Sequence, residues 1–413
     1  MRIAVVGAGI SGLASAYLAS REHEVVLYER EPSLGGHTDT HEVEVAGRPY
    51  AVDTGFIVCN PAHYPLFMRL LDELGVDTQP TSMSFAVRND ASGLEYNAST
   101  IAGLFVQPRR LVSPRHWRMI GDILRFYREA PALLEEPWPG PTLGAYLEAH
   151  EYSDAFRDDH LVPMASALWS SPSRQVLEFP AKHLVAFMAN HHMLKTRDRP
   201  EWRTVRGGSS SYVRALTQRW RVRVRTGDPA RLVRRAHDHV EVATASGAER
   251  YDHVVLACHA DQALALLADP SPAEHEVLGA IRYQLNDTVL HTDASQLPRR
   301  RRAWAAWNAL VPRTPSDDCT VSYCMNILQS LEAPEPIVVT LNRTDAIDAT
   351  KILKRRRYAH PVFDTRSVAA QRRRAEINGV ARTWYCGAYW GYGFHEDGMR
   401  SAADVARGLG VAW

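Results

Sequence analysis

The sequence predicts an α/β fold in which a parallel sheet is assembled from segments that lie far apart in the chain. A short apolar run at residues 3–6 leads into three glycines in G-x-G-x-x-G spacing, where a helix opens. A second apolar run occupies residues 251–257, and a strand, a glycine-rich turn and a helix follow over residues 383–409. We therefore expect a Rossmann-like nucleotide-binding domain with a parallel sheet, discontinuous in sequence, plus an α+β domain.

The first 36 residues contain the predicted phosphate-binding turn. Gly7 permits the tight turn, Gly9 lets the backbone approach a pyrophosphate, and Gly12 lets the helix pack close to the strand. The helix N-terminus then faces the phosphate charge. The same turn contains Ala8, Ile10 and Ser11. Alternatively, the uncharged run at residues 3–20 is a signal peptide, but three glycines would break an export helix.

An acidic residue follows at the distance expected for ribose binding. The apolar run at residues 23–28 ends in Glu29, and its separation from Gly7 fits the spacing of about 20 residues typical of a ribose carboxylate. An acid favours a free 2′-hydroxyl, as in FAD or NAD, over a 2′-phosphate. Arg30, Gly35 and Gly36 come next.

Bulk properties exclude several classes of protein. The 413 residues suggest two domains, and a net charge of +1 gives no global field for binding nucleic acid. Five cysteines without a C-x-x-C pair suit a reducing cytosol. Since no stretch is apolar over the roughly 18 residues that a membrane span needs, we expect a cytoplasmic protein, soluble or peripheral on the membrane.

Changes of pattern along the chain suggest the domain boundaries. Residues 43–52 alternate like a hairpin, 65–74 have helical spacing, and 100–200 are mostly helical and rich in aromatics and proline. Further strand-like runs lie at 221–225, 232–233, 240–243, 288–291, 320–325 and 337–341. We assign residues 1–60, 203–268 and 380–413 to the nucleotide-binding domain and residues 61–202 and 269–379 to a substrate-binding cap domain.

Taken together, these motifs resemble the FAD-dependent amine oxidase and phytoene desaturase superfamily. The matching segments are residues 7–13, 29–30, 35–37, 53–55, 206–208, the strand ending at Ala257, and 387–398. Within that superfamily the chain looks most like bacterial flavoproteins associated with cyclopropane-synthase-like lipid methyltransferases, on residues 60–65, 358–363 and 393–398. It is similar, more distantly, to flavin-dependent polyunsaturated fatty acid isomerases.

The resemblance implies noncovalent FAD. It places the turn of residues 8–12 on the pyrophosphate, Glu29 on the ribose, residues 36–38 along the diphosphate and ribityl chain, and residues 54–56 beside the flavin. Many relatives have Arg where this chain has His37, and Cys386 does not match the covalent cysteine of some amine oxidases. The predicted cofactor-binding residues are Gly7, Ala8, Gly9, Ile10, Ser11, Gly12, Glu29, Arg30, Gly35, Gly36, His37, Thr38, Thr54, Gly55, Phe56, Ala230, Gly387, Gly393, Phe394 and Glu396.

The candidate catalytic residues are His395, Tyr392 and Trp390. His395 would move a proton or serve as a hydrogen-bonding scaffold for the terminal turn. The two aromatic residues, together with Tyr389, would form an amine-orienting cage or pack the cofactor ring. No metal is expected, because the pairs His191–His192 and His37–His41 lack a third ligand.

The leading functional hypothesis is dehydrogenation of an unsaturated or methyl-branched fatty acyl chain, carried by a phospholipid, by hydride transfer to flavin N5. The alternatives are redox-neutral isomerisation of a fatty acid double bond, amine oxidation, or a non-enzymatic role as FAD-stabilised partner of a lipid methyltransferase. Basic clusters at residues 299–302 and 354–357 would contact an anionic membrane or simply face solvent.

Overall fold

The computed structural model describes residues 1–314 and 319–413. The strands in the first half of the chain are β1 (Arg2–Val6), β2 (Glu24–Glu29), β3 (Thr40–Val45), β4 (Arg48–Asp53), β5 (Val58–Cys59), β6 (Thr78–Thr81), β7 (Phe85–Asn89), β8 (Leu94–Asn97) and β9 (Trp202–Val205). Those in the second half are β10 (Val222–Thr226), β11 (Leu232–Arg235), β12 (Val240–Thr244), β13 (Gly247–Tyr251), β14 (His253–Leu256), β15 (Arg282–His291), β16 (Trp307–Val311), β17 (Val321–Cys324), β18 (Val338–Leu341), β19 (Ile352–Val362) and β20 (Thr383–Tyr385).

The α-helices surround these strands. They are α1 (Ile10–Ala19), α2 (Pro65–Leu74), α3 (Ile101–Leu104), α4 (Pro114–Glu129), α5 (Leu143–Ala149), α6 (Asp154–Phe156), α7 (Val162–Trp169), α8 (Ser173–Leu177), α9 (Ala181–Asn190), α10 (Ser210–Arg219), α11 (Ala260–Leu266), α12 (Pro272–Gly279), α13 (Met325–Leu328), α14 (Thr365–Gln371) and α15 (His395–Gly408). Within the described ranges, no helix has the length and apolar character needed to cross a bilayer.

The first sheet has five parallel strands in the order β10-β2-β1-β14-β20. Strand β1 lies at its centre, where Ile3, Ala4 and Val5 are fully buried, and this explains their uninterrupted apolar run. Helices α1 and α15 pack together beside this sheet. The predicted parallel sheet, drawn from the start, middle and end of the chain, is confirmed.

Two positions, one in the turn after β1 and one in the first turn of α1, accept only glycine. A Cβ on Gly7 would lie 2.9 Å from the carbonyl oxygen of Ala257, and the φ angle of Gly7 is +102°. A Cβ on Gly12 would lie 1.8 Å from the carbonyl oxygen of Gly7. The close helix-to-strand contact predicted for Gly12 is therefore present.

The second large sheet has seven strands in the order β19-β15-β18-β17-β16-β7-β8. Its strands are antiparallel except for the parallel pair β16 and β7. The strand-like runs at 288–291, 320–325 and 337–341 are confirmed as parts of β15, β17 and β18. The sequence interpretation missed β19, because its residues 354–357 are charged and exposed and show no apolar alternation.

Helices from the segment 101–190 cover part of the seven-stranded sheet. Their core includes Phe126, Phe156, Phe179 and Phe187, all nearly or fully buried. This agrees with the prediction of a helical, aromatic-rich segment. The predicted hairpin at 43–52 is β3 paired with β4.

Helix α2 packs with α1, α10 and α15 in the hydrophobic core beside the parallel sheet. The predicted boundaries assign this helix to the substrate-binding domain, although its contacts are with the nucleotide-binding elements. The domain boundaries themselves stay a prediction.

Candidate active site

A cavity of about 1710 Å³ is lined by residues of both large sheets and of the helical layer. A pocket for one drug-sized molecule is typically about 300–1,000 Å³, so this volume suits a dinucleotide together with a second molecule. We divide the cavity into a nucleotide end, around the turn after β1, and a chamber, which extends from Phe56 and His395 to the helical layer.

The structure brings most of the predicted cofactor-binding residues to this cavity. Those in its lining are Gly7, Ala8, Gly9, Ile10, Ser11, Glu29, Arg30, Gly36, His37, Thr54, Gly55, Phe56, Ala230, Gly387, Gly393 and Phe394. Outside the lining lie Gly12, Gly35, Thr38 and Glu396. Of the candidate catalytic residues, Tyr392 and His395 line the cavity and Trp390 does not.

The nucleotide end has the features of a dinucleotide cradle. A Cβ on Gly9 would meet nothing within 4 Å, so the backbone there faces open space at the N-terminus of α1. The Glu29 carboxylate accepts hydrogen bonds from the backbone N–H groups of Ala8 (2.7 Å) and Glu31 (2.9 Å), which hold it at the cavity edge. These residues fit the phosphates and ribose of FAD.

An imidazole cluster lies beside this cradle. The ring of His37 is 5.0 Å from that of Tyr358, 5.3 Å from that of His360 and 6.4 Å from that of His259. Burial, reinforced by the neighbouring His259, lowers the pKa of His37 to about 4. Its Nε2 atom is buried and has no hydrogen-bond partner among the described residues, so a polar atom is left for a bound group.

Two loops at the centre of the cavity are locked together. The backbone N–H of Phe56 donates to the carbonyl of His37 (2.7 Å), and a Cβ on Gly55 would lie 2.0 Å from that same oxygen. The buried Asp53 carboxylate accepts hydrogen bonds from the Thr40 hydroxyl and from the backbone and hydroxyl of Ser209. Burial nevertheless raises the pKa of Asp53 to about 6. The backbone of Phe56 is therefore held by the loop that contains His37.

His395 is held on three sides. Its ring stacks on Phe56 with 3.5 Å between centroids, and its Nε2 lies 3.0 Å from Thr38 Oγ1 and 3.3 Å from the Tyr212 hydroxyl. Burial lowers the pKa of His395 well below its usual value, with His37 adding to the effect. The imidazole is therefore neutral near pH 7 and acts as a hydrogen-bonding group.

The structure places Glu396 and Trp390 away from the roles that the sequence suggests. The Glu396 carboxylate accepts the backbone N–H groups of Leu66 (3.1 Å) and Phe67 (3.0 Å), so it binds the first turn of α2 and does not face the cavity. The Trp390 indole donates to the carbonyl of Tyr385 (3.2 Å) and packs against the ring of Tyr389. Trp390 thus supports the turn before α15, whereas Glu396 joins α15 to α2.

The chamber has aromatic and aliphatic walls. The Trp169 indole donates to the Tyr392 carbonyl (3.0 Å), and the Tyr392 ring packs against His183 and Phe187. The seven-stranded sheet contributes Phe85 to the opposite wall. Further lining residues include Met83, Tyr127, His160, Met164, Leu168, Val289, Trp307, Tyr323 and Leu341.

Sequence reasoning gave no site role to Tyr358, His360, His160 or Trp307. Tyr358 and His360 belong to the segment 358–363 that supported the narrower resemblance, which was the available signal. No sequence signal pointed to His160 and Trp307, because only long-range packing brings these two residues to the chamber. The side-chain atoms His160 Nε2 and Trp307 Nε1 are buried without a hydrogen-bond partner in the described part of the chain.

No group of three or more His, Cys, Asp or Glu side chains among residues 1–314 and 319–413 is arranged to hold a metal ion. Cys386 lies outside the cavity lining and its sulfur contacts Ser15 Oγ at 3.3 Å. This position favours the noncovalent FAD that the sequence predicts.

The family model for flavin containing amine oxidoreductases matches residues 10–290. The chain belongs to this family. It is an FAD-dependent oxidoreductase, and the predicted cofactor is confirmed. The narrower resemblance to flavoproteins associated with lipid methyltransferases stays a prediction.

This oxidoreductase matches a curated relative over part of its length. Over 163 residues it is 29% identical to the carotenoid phi-ring synthase of Chlorobaculum tepidum, an alignment that covers 37% of this chain and 22% of that protein. The matched part thus spans about a fifth of that relative's length.

Solved structures share the fold of this oxidoreductase at low identity. A redesigned putrescine oxidase has a TM-score of 0.72 at 16% identity and covers 99% of this chain and 98% of its own. A CLA-producing fatty acid isomerase from P. acnes has a TM-score of 0.70 at 16% identity. A cyclohexylamine oxidase from Brevibacterium oxydans has a TM-score of 0.68 at 15% identity. Each match covers 99% of both chains. The predicted fold class is confirmed.

Proposed function

We propose that this oxidoreductase dehydrogenates an unsaturated or methyl-branched fatty acyl chain, carried by a phospholipid. The observation that supports this is the apolar chamber beyond Phe56 and His395. Apart from the acids at the nucleotide end, the carboxylates in the cavity lining are Glu201 and Asp287, and each forms an ion pair with an arginine. A cationic amine therefore meets no unpaired carboxylate among the described residues, whereas an acyl chain meets apolar walls.

The chemistry requires a weak C–H bond and an electron acceptor. Bound FAD supplies the hydride acceptor, and an allylic C–H bond is weaker than that of a saturated chain. Dehydrogenation removes a hydride, which bound FAD would accept, and a proton, which would be released to bulk solvent, and it leaves a new double bond in the acyl chain. O2 or a quinone takes the two electrons.

The chain's own residues orient the substrate and exclude water. His395 is a positioning residue in this account, because its low pKa makes it a poor proton acceptor while its stacking fixes Phe56. Trp169 and Tyr392 close the chamber wall next to the α15 turn. Buried apolar walls keep solvent away from the reacting carbons.

Anaerobic reduction tests the proposal. We expect a phospholipid with an unsaturated acyl chain to bleach the oxidised flavin absorbance, and the product to be lighter by two hydrogens. Leu168→Trp should block the chamber, abolishing bleaching while leaving FAD bound, whereas Val380→Trp, at an exposed position, should behave as wild type. A flavin that stays oxidised with all such lipids would overturn the proposal.

Redox-neutral isomerisation of an acyl double bond is the second candidate, since it uses the same apolar chamber and a fatty acid isomerase shares the fold. It predicts a product of unchanged mass. Amine oxidation predicts peroxide release with amines. A role as FAD-stabilised partner of a lipid methyltransferase predicts that Leu168→Trp leaves the pathway product intact, while deletion of the protein abolishes it.

A further inference from the structure

Large apolar side chains that face solvent are concentrated on one stretch of the helical layer. They belong to α3, to the turn after it and to α4: Ile101 (80% exposed), Leu111 (53%), Val112 (84%), Trp117 (50%) and Leu124 (53%). Elsewhere in the described chain such residues are scattered singly. Single exposed apolar residues are ordinary, but a cluster indicates a contact surface. We call these five residues the apolar face.

Local contacts hold the apolar face together. The Trp117 indole donates to the Leu111 carbonyl (2.8 Å), and the ring of Phe105 packs 5.1 Å from that of Trp117. Leu124 is two turns further along α4, on the same side as Trp117. The five side chains do not line either the large cavity or the arginine pocket described next, so they protrude.

Arginines from two distant segments meet beside the apolar face. Arg109 donates to the Gly93 carbonyl (3.0 Å), Arg299 to Asp90 (3.2 Å) and Arg300 to Glu95 (3.2 Å). These three arginines help to line a pocket of about 450 Å³, which we call the arginine pocket. Its other lining residues are Arg88, Asn89, Asp90, Gly93 and Glu95.

The arginine pocket carries more positive than negative charge. Four guanidinium groups face two carboxylates, Asp90 and Glu95. Asp90 is already bound by Arg88 and Arg299, and the buried Glu95 accepts the backbone N–H groups of residues 299 and 300. Such a pocket suits a phosphate.

The same region borders the chamber. Tyr127 of α4 lines the chamber, and so do Ala98 and Ser99, which immediately precede α3. A lipid bound beside the apolar face would therefore lie close to the chamber wall. This continuity favours a lipid surface over a protein as the occupant.

We propose that the apolar face and the arginine pocket dock the protein on a bilayer that contains anionic phospholipid. The protruding aliphatic side chains and Trp117 enter the interfacial layer, and the arginine pocket binds a headgroup phosphate. This docking goes beyond the proposed function, and only the choice of a lipid over a protein as the occupant rests on that function. Vesicle binding is measured without turnover, so either proposal can fail alone.

Co-sedimentation of the FAD-loaded protein with vesicles tests the docking. We expect binding to phosphatidylcholine vesicles that contain phosphatidylglycerol, weaker binding to phosphatidylcholine alone, and release as salt is raised. Leu111→Glu with Val112→Glu should abolish binding, and Arg109→Gln should weaken anionic binding by about fivefold. The matched control Val380→Glu, on another surface, should bind as wild type. Flavin content and melting temperature establish that each variant folds.

Three outcomes overturn the docking proposal. The first is a wild-type protein that binds neither kind of vesicle. This outcome includes the case in which the apolar face binds a protein instead of a bilayer. The second is equal binding to neutral and anionic vesicles, which removes the role of the arginine pocket. The third is a Leu111→Glu, Val112→Glu variant that folds and still binds.

Discussion

Two glycines at the start of α1 perform different physical tasks. A Cβ at Gly9 meets open space, whereas a Cβ at Gly12 overlaps the Gly7 carbonyl at 1.8 Å. We expect Gly9→Ala to leave the apoprotein as stable as wild type but to weaken FAD binding, because the added methyl group occupies the diphosphate position. Gly12→Ala should destabilise the apoprotein itself. FAD titration by fluorescence quenching and apoprotein melting curves separate the two effects, and equal losses of stability would contradict this account.

Some residues of the candidate site could be predicted from the sequence and others could not. Gly7, Gly9 and Glu29 were predictable because their roles depend on spacing within one βαβ unit. The neutral state of His395 was not predictable, since it depends on burial beside Phe56 and Tyr212, which lie far from His395 along the chain. Of the two interpretations of His395 that the sequence left open, the lowered pKa favours the hydrogen-bonding scaffold over the group that moves a proton.

At the scale of elements, one carboxylate joins two helices. Glu396, in the first turn of α15, is 4% exposed and binds the N-terminal N–H groups of α2. Glu396→Gln removes the negative charge from that helix end, so we expect a loss of about 1 kcal/mol in the free energy of unfolding. FAD affinity should not change, because the carboxylate does not face the cavity.

Denaturant unfolding and FAD titration of the same variant measure both quantities. The exposed Glu22→Gln is the matched control and should have neither effect. Weaker FAD binding at unchanged stability would instead support the sequence-based assignment of Glu396 to the cofactor.

Elements differ in how well sequence foretells them. Strands β1, β2 and β14 are buried on both faces and appear as apolar runs, so the parallel sheet was predictable. Strand β19 was missed, since an edge strand rich in arginine has no alternation. The arginine pocket was also invisible, because residues 109 and 299 meet only in the folded chain.

At the scale of the whole molecule, buried neutral histidines make stability depend on pH. Burial lowers the pKa of His183 to about 4 and that of His291 to about 4. Below pH 6.5 the unfolded chain binds protons that the folded protein does not, so stability is highest above pH 6.5 and falls toward pH 4. Since one pKa unit corresponds to about 1.4 kcal/mol, each residue can contribute up to about 3 kcal/mol to this loss.

Unfolding free energies measured between pH 7 and pH 4.5 check this dependence. His183→Phe keeps an aromatic ring to stack on Phe363 but removes the group that binds a proton. The free energy of unfolding of this variant should therefore fall less on acidification than that of wild type. The exposed His275→Gln should leave it unchanged. Parallel pH curves for wild type and His183→Phe would contradict the assignment.

The cavity lined by the two large sheets should hold FAD, and titration of the purified apoprotein with FAD measures this binding. We expect saturable binding at one FAD per chain, a flavin spectrum altered by the buried site, and release of unmodified FAD on denaturation. Gly9→Ala should shift the titration to higher FAD concentration. A wild-type protein that stays colourless and leaves the spectrum of added FAD unchanged would contradict the account.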